Sequence, residues 1–257
     1  MNIKQIRNAT IVVEYAGKKF LIDPMLANKG AYPPMPNPAS NAPQGDQNFP
    51  LESLPTPADT IIKDINAVIV THLHPDHWDE AAKKVLPKEI KLFAQNEEDA
   101  SEIRKDGFQN VEVLQENTDF EGIQLTKTKG EHGRGEILKL AGLVCGVVFK
   151  HPSEKTLYVA GDTVWYDAVQ EEIDTHKPEV IVVNAGDNQF IQGGSLVMSK
   201  DDVYEVYKAT PNAKIIAVHM EAVNHWTLSK GELKSFANEK GIESNVLVPD
   251  NGDSYTF

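Results

Sequence analysis

The stretch THLHPDHWD, residues 71–79, places His72, His74, Asp76 and His77 within six positions, directly after the apolar run INAVIV. Two histidines two residues apart at the end of a strand point to the same face. Pro75 then breaks the strand, and Asp76 and His77 open the following turn. Four nitrogen and oxygen donors can converge this way on one small volume. Neutral imidazoles and carboxylates suit Zn²⁺, and also Fe or Mn. Two adjacent ions could share such a cluster, with a bridging hydroxide as nucleophile. The plain alternative is a surface loop that happens to carry histidines. That account fits one histidine, not four donors packed at a strand end.

Two ions need more ligands than these, and later strand ends offer them. His132 lies in GEHGRG after IQLTKTK, Asp162 in GDT after TLYVA, and His219 closes KIIAVH. Asp23 closes KKFLID in the same topological position. Each alone reads equally well as a turn former or a cap. Together they stand where α/β folds place their ligands, at the carboxyl ends of strands.

The elements that must position these residues follow from the pattern of apolar runs. ATIVVEY and KKFLID, separated by AGK, read as a hairpin. From residue 63 the pattern alternates: strand INAVIV, helix WDEAAKKVL, strand IKLFA, then helix NEEDASEIRKDG closed by Gly107. VEVLQ, IQLTKTK, LVCGVVFK and TLYVAG read as strands. Helices are predicted over 165–175, 200–208 and 229–239, interleaved with the strands EVIVVNA, KIIAVH and SNVLVP. Two blocks of strands with helices point to an α/β sandwich, sheets inside and helices outside. One domain is expected over 1–257, interrupted by the segment 27–58, which holds eight of the fifteen prolines and shows no apolar periodicity. A loop that long within a domain is commonly functional, and Tyr32 and Phe49 favour an ordered cover.

Composition narrows the partners. Hydrophobic residues make up 40% and charged residues 25%, as in ordinary globular chains. The apolar runs are strand-length, far short of a membrane span, and the N-terminus has no signal-peptide pattern. Cys145 is the only cysteine, so a reducing cytoplasm is the simplest expectation. A formal charge of −13, from 25 basic against 38 acidic residues, argues against nucleic acid as a partner. A small-molecule substrate is expected instead.

THLHPDH matches the H-x-H-x-D-H signature of the metallo-β-lactamase superfamily. Asp23, the cluster, His132, Gly161-Asp162-Thr163 and His219 arrive in that family's order, over nearly the whole chain. The resemblance implies an αββα four-layer sandwich: two mixed β-sheets flanked by helices, with the site at one edge. It implies two divalent ions, Zn or Mn with Fe also compatible. His72, His74 and His132 would hold the first, Asp76, His77 and His219 the second, and Asp162 would bridge them. Asp23 would orient ligands from behind. Within the superfamily the chain is most similar to the branch of L-ascorbate-6-phosphate lactonase and N-acyl-phosphatidylethanolamine phospholipase D. IRNATIVVEYAGKKFLIDPML resembles that branch's opening and AVHMEAVNHWTLSKGEL its last ligand block. Asn8 departs from it, standing where the branch often has His. The branch includes oligomers, so a homo-oligomer is compatible.

The resemblance implies a hydrolase in which a bridging hydroxide, held with the help of Asp162 and aligned by Asp76, attacks a small-molecule ester centre, a lactone by preference. A phosphodiesterase, including a ribonuclease of the same fold, is the alternative, and a non-catalytic metal-binding scaffold is the alternative of another class. His225 and Arg134 are candidate substrate contacts, and Glu221 a candidate to orient His219. The Gly-rich loop 187–199, with Phe190, is a candidate pocket wall.

Overall fold

A computed structural model describes all 257 residues. The first sheet contains β1 (Asn2–Arg7), β2 (Thr10–Tyr15), β3 (Lys18–Ile22), β4 (Ala67–Val70), β5 (Lys91–Ala94), β6 (Val111–Val113) and β14 (Ser254–Thr256). Their order is β14-β1-β2-β3-β4-β5-β6. The second contains β7 (Thr118–Phe120), β8 (Ile123–Lys129), β9 (Cys145–Lys150), β10 (Leu157–Val159), β11 (Val180–Asn184), β12 (Lys214–Val218) and β13 (Val246–Leu247), in the order β13-β12-β11-β10-β9-β8-β7. Both are mixed. β3 through β6 run parallel, as do β10 through β13, and the remaining neighbours are antiparallel.

The expected four layers are present. Between the sheets, Ile3, Val13, Phe20, Ile69 and Phe93 meet Leu125, Val147, Phe149, Val182 and Ile216 in one core. The outer face of the first sheet is covered by α1 (Ala58–Ile61), α2 (Glu80–Val85) and α3 (Glu97–Lys105), which contribute Ile61, Ala82, Ala100 and Ile103. The outer face of the second is covered by α5 (Asp167–His176), α6 (Lys200–Ala209) and α7 (Lys230–Lys240), which contribute Val169, Ile173, Val203, Val206, Leu233 and Ala237. A short α4 (Leu138–Ala141) lies between β8 and β9. Strands apolar on both faces, such as β4 and β11, are buried at every position because each sheet is packed on both sides. Both α6 and α7 start at a serine that forms a capping box with the residue three further on, Asp202 or Glu232. No helix is long and apolar enough to cross a membrane.

Segment 27–58 has almost no regular structure, yet its backbone is tied down at both ends. The wholly buried Arg7 guanidinium donates to the carbonyls of Met25, Ala27 and Glu52 at 2.7, 2.8 and 2.9 Å. Mid-loop, Asn224 accepts from Met35 N–H at 2.9 Å and donates to the carbonyls of Met35 and Gly45. The loop also meets the 187–199 segment: Ala39 N–H donates to Gln189 O at 3.0 Å and Ile191 N–H to Asn37 O at 2.9 Å. These two segments lie together over one edge of the sandwich.

Candidate metal centre

That edge is where the carboxyl ends of β3, β4, β8, β10, β11 and β12 emerge. Antiparallel β9 separates β8 from β10, so those two point the same way and deliver His132 and Asp162 to the same side. β4 delivers His72 and, through the turn at Pro75, Asp76 and His77. β12 delivers His219. Of the seven predicted ligands, six are buried, and His74 is half-buried.

The side chains form overlapping groups whose nitrogen and oxygen atoms lie within 4.8 Å of one another: His72, His74 and His132; His72, His77 and Asp162; Asp76, His77 and His219. Asp162 stands between the outer two. Its Oδ2 is 3.1 Å from His77 Nε2, 3.6 Å from His132 Nε2 and 3.9 Å from His72 Nε2, while Oδ1 is 3.6 Å from His219 Nε2. Asp76 Oδ2 approaches His219 Nε2 to 3.1 Å.

A surrounding set of hydrogen bonds turns the Nε2 atoms inward. His77 Nδ1–H donates to Asp23 Oδ2 at 2.9 Å. Asp23 also accepts from the Thr71 amide and hydroxyl, both at 2.7 Å, so its carboxylate is fully engaged. Because the Thr71 hydroxyl donates to Asp23, its Oγ1 lone pairs are left to accept from His72 Nδ1–H at 3.2 Å. His132 Nδ1–H donates to Leu196 O at 3.0 Å. Such outer partners fix the tautomer of a metal-ligating imidazole. They leave His72 Nε2 buried with no protein partner, which fits a cation there.

The electrostatics differ from one imidazole to the next. Burial opposes a charge on His77 and on His219, but the carboxylates of Asp162 and Asp76 outweigh it and raise both. A cation ligated there would take the place of their protons. Burial pushes His72 well below the ordinary imidazole range, helped by the neighbouring His77 and His74, and so keeps it in the neutral form a metal requires. Burial opposes the charge on Asp162, but the fields of His219 and His77 outweigh it and hold the carboxyl well below the usual range. Asp76 behaves likewise, with His77 and His219 overcoming burial. Asn8, Asp23 and His219 all sit at positive φ, of 55°, 47° and 61°. Non-glycine residues rarely occupy that region, and they cluster where a site over-determines the backbone.

Four polar residues join the site without having been singled out as ligand-positioning groups. Asn184, at the end of β11, donates to Asp162 Oδ1 at 2.5 Å. Asn8 donates to Asp76, Thr71 links Asp23 to His72, and Asn188 lines the cavity above. Asn184 obeys the same rule that found Asp23, a polar residue ending an apolar strand. Asn188 has no such signal.

Other candidates are placed differently. His225 is buried, lines the cavity, and stacks on Phe190 with centroids 4.9 Å apart and planes at 12°. Burial drives it down to about 4, so it is neutral at pH 7. Arg134 is not part of the cavity lining; it pairs with Asp202 at 3.0 Å and donates to Trp165 O. Glu221 accepts from Lys230 N–H at 2.8 Å and so caps α7 rather than orienting His219. The 187–199 loop supplies Asn188, Phe190, Ile191 and Leu196 to the cavity wall, and segment 27–58 supplies Tyr32, Met35 and Phe49.

The family model described as beta-lactamase superfamily domain matches residues 18–220. The UPF0173 protein YddR of Bacillus subtilis (strain 168) is 67% identical over 258 residues, covering 100% of both chains. Isothiocyanate hydrolase from Delia radicum gut bacteria is similar in structure with a TM-score of 0.93 at 41% identity, covering 100% of this chain and 99% of that one. A possible metal-dependent hydrolase from Veillonella parvula DSM 2008 gives a TM-score of 0.96 at 37% identity, covering 100% and 99%.

Proposed function

The chain belongs to the beta-lactamase superfamily domain family, and from that premise we propose that this metal-dependent hydrolase acts on a small neutral electrophile, foremost an isothiocyanate. The observation that carries the reading is the cavity of about 740 Å³ over His74, Asp76, His132, Asp162 and His219. Its upper wall is apolar, with Tyr32, Met35, Phe49, Phe190 and Leu196, and no lysine or arginine lines it. The remote phosphate of a phosphorylated lactone would enter a pocket whose walls offer no cation from the chain to meet it. A phosphodiester would instead place its phosphate on the divalent ions and leave the apolar wall to its substituents. An uncharged N=C=S group on an apolar substituent meets no unpaired-charge penalty, and the 41%-identical isothiocyanate hydrolase supports the same class.

Divalent ions held by His72, His74, His132, Asp76, His77, His219 and Asp162 would supply Lewis acidity and a water acidified to near-neutral pH. The chain's own groups do the positioning. Asp162, gripped by Asn184, holds the two halves of the cluster together. Asp76, gripped by Asn8, accepts a hydrogen bond from the attacking water. The aromatic wall excludes bulk water and fixes the substituent. Overall, one water and one isothiocyanate give an amine and carbonyl sulfide.

A neutral lactone offers a comparable electrophilic carbon and is the second reading, favoured by the same uncharged wall. Rates of Zn- and Mn-loaded protein on benzyl isothiocyanate, an uncharged lactone, a phosphorylated lactone and bis(p-nitrophenyl) phosphate decide between them. Isothiocyanate turnover exceeding the others, and lost on chelation, is the expected result. Preference for either phosphate substrate overturns the reading.

A further inference from the structure

Of the large apolar side chains in the molecule, only Leu140, Leu143 and Ile191 are exposed, at 82%, 77% and 68%. They are not scattered. Leu140 and Ile191 both line the cavity above the ligand cluster, and Leu143 follows Leu140 by three residues. Single exposed apolar residues need no explanation, whereas a group of them at a cavity marks a contact surface. The local structure is built to present them. Ile137, Leu140 and Ala141 fall at i, i+3 and i+4, on one face of the turn that runs into α4, and all three line the cavity. Glu136 and Lys139 lie outside that lining and pair with each other at 2.7 Å. On the other side, Ile191 N–H donates to Asn37 O at 2.9 Å, which holds the loop in place by its backbone. The two sides meet at Ile137. A Cβ on Gly133 would stand 2.5 Å from Ile137 Cγ2, and one on Gly193 would stand 2.9 Å from Ile137 Cβ, so glycine is required at both.

Resting on the isothiocyanate reading above, we propose that Leu140 and Ile191, with Ile137 between their segments, form an outer subsite for a long apolar substituent. The preferred substrate is then an isothiocyanate whose alkyl chain runs from the cluster past the aromatic wall to this rim. The cavity has room for it: about 740 Å³ suits a drug-sized ligand and far exceeds an N=C=S group. The rim lines the same cavity as His74, Asp76 and His132, so one molecule can touch both. Other occupants fit less well. A membrane rich in anionic lipid would repel a chain of net charge −13, and the one lysine of α4 is already paired. A second copy of the chain seated on the rim would cover the cavity that the substrate must enter. An alkyl chain meets neither objection, and each methylene laid on the rim leaves water. Such contacts are equal in the ground and transition states, so they lower KM and leave kcat alone.

The test compares n-butyl with n-octyl isothiocyanate on three metal-loaded proteins: wild type, the double variant Leu140→Gln with Ile191→Gln, and Lys139→Gln as a control on the same helix. Both residues of the double variant are exposed, so its melting temperature and metal content should match wild type. Complete burial of four methylenes is worth roughly 200-fold in affinity. On a rim open to solvent, kcat/KM should rise about tenfold from butyl to octyl in wild type, with the change in KM. The double variant should reduce that ratio to about twofold, and Lys139→Gln should keep it. An octyl preference absent from wild type, or retained in the double variant, overturns the inference. So does a wild-type dimer that the double variant splits while the octyl preference persists, which assigns the rim to a second copy. A wild type inert towards both isothiocyanates overturns the substrate reading instead. In that event calorimetric titration of Zn-loaded protein with n-butanethiol and n-octanethiol still decides on the subsite, since a thiolate head anchors on the metal. Octanethiol binding about tenfold tighter than butanethiol in wild type, and not in the double variant, supports it. Equal affinities in wild type overturn it.

Discussion

The side-chain amide of Asn8 donates to both the backbone carbonyl and the carboxylate of Asp76, at 3.1 and 3.2 Å, while the Asn8 carbonyl accepts from His219 N–H at 3.0 Å. One residue thus fixes two others of the cluster, and it does so from a left-handed backbone conformation, φ 55°. Asn8→Ala should weaken metal affinity about 10- to 100-fold, the usual cost of an outer partner. Asn8→Gly should weaken it equally but keep more of the stability, since glycine tolerates the backbone. Competition with a chromophoric chelator, beside thermal melts, separates the two effects. Unchanged affinity in both variants would show that Asn8 only shapes the turn.

Asp23 receives three donors and is 1% exposed. Asp23→Ala strands all three. It should therefore cost about 2–5 kcal/mol in urea unfolding, as for breaking a buried charged network. Asp23→Asn cannot accept from every one of them and should release His77 from its tautomer. Metal affinity then falls even where the fold survives. A loss of stability with full metal affinity would contradict the assigned role.

The Phe190 ring stacks on His225 at 4.9 Å and forms part of the cavity wall. Phe190→Ala should raise KM for benzyl isothiocyanate about 3- to 10-fold, in proportion to one lost aromatic contact. It should change KM for a short alkyl isothiocyanate far less. Equal effects on both substrates would place Phe190 outside the substituent's path.

His225 has its folded pKa lowered by burial, from 6.5 to about 4. Between those values the unfolded chain binds a proton that the folded chain refuses. Stability is therefore fully present above pH 6.5 and falls as pH drops towards 4, by about 3 kcal/mol at roughly 1.4 kcal/mol per unit. Urea unfolding of chelator-treated wild type and His225→Phe at pH 7 and 4.5 checks this. Wild type should lose the additional amount, and parallel losses would mean that His225 is accessible to protons in the fold.

Much of this architecture is legible in the chain. β3, β4 and β12 each carry an apolar run that stops within a residue or two of a polar residue, and that abruptness points to Asp23, His72 and His219. The strands that escape notice, β7 and β14, are three residues long and carry no period. β14 exists only because it pairs with β1 across the length of the chain, Lys4 opposite Ser254. β1 itself, NIKQIR, mixes polar and apolar positions and lies between β14 and β2 in the sheet. Arg134 shows where spacing misleads. It follows His132 by two, but Gly133 between them has φ 107°, which ends any strand-like alternation and sends Arg134 to Asp202. Asn188 and the bonds between segments 27–58 and 187–199 depend on loop geometry, for which these residues carry no periodic code.

The most direct measurement is elemental analysis of purified, metal-reconstituted protein, wild type beside His74→Ala and Asp162→Ala. About two equivalents of Zn, Mn or Fe in wild type, falling in both variants, is the expected result for a cluster with Asp162 between its two halves. Little bound metal in wild type after reconstitution, or full occupancy in Asp162→Ala, would contradict the account.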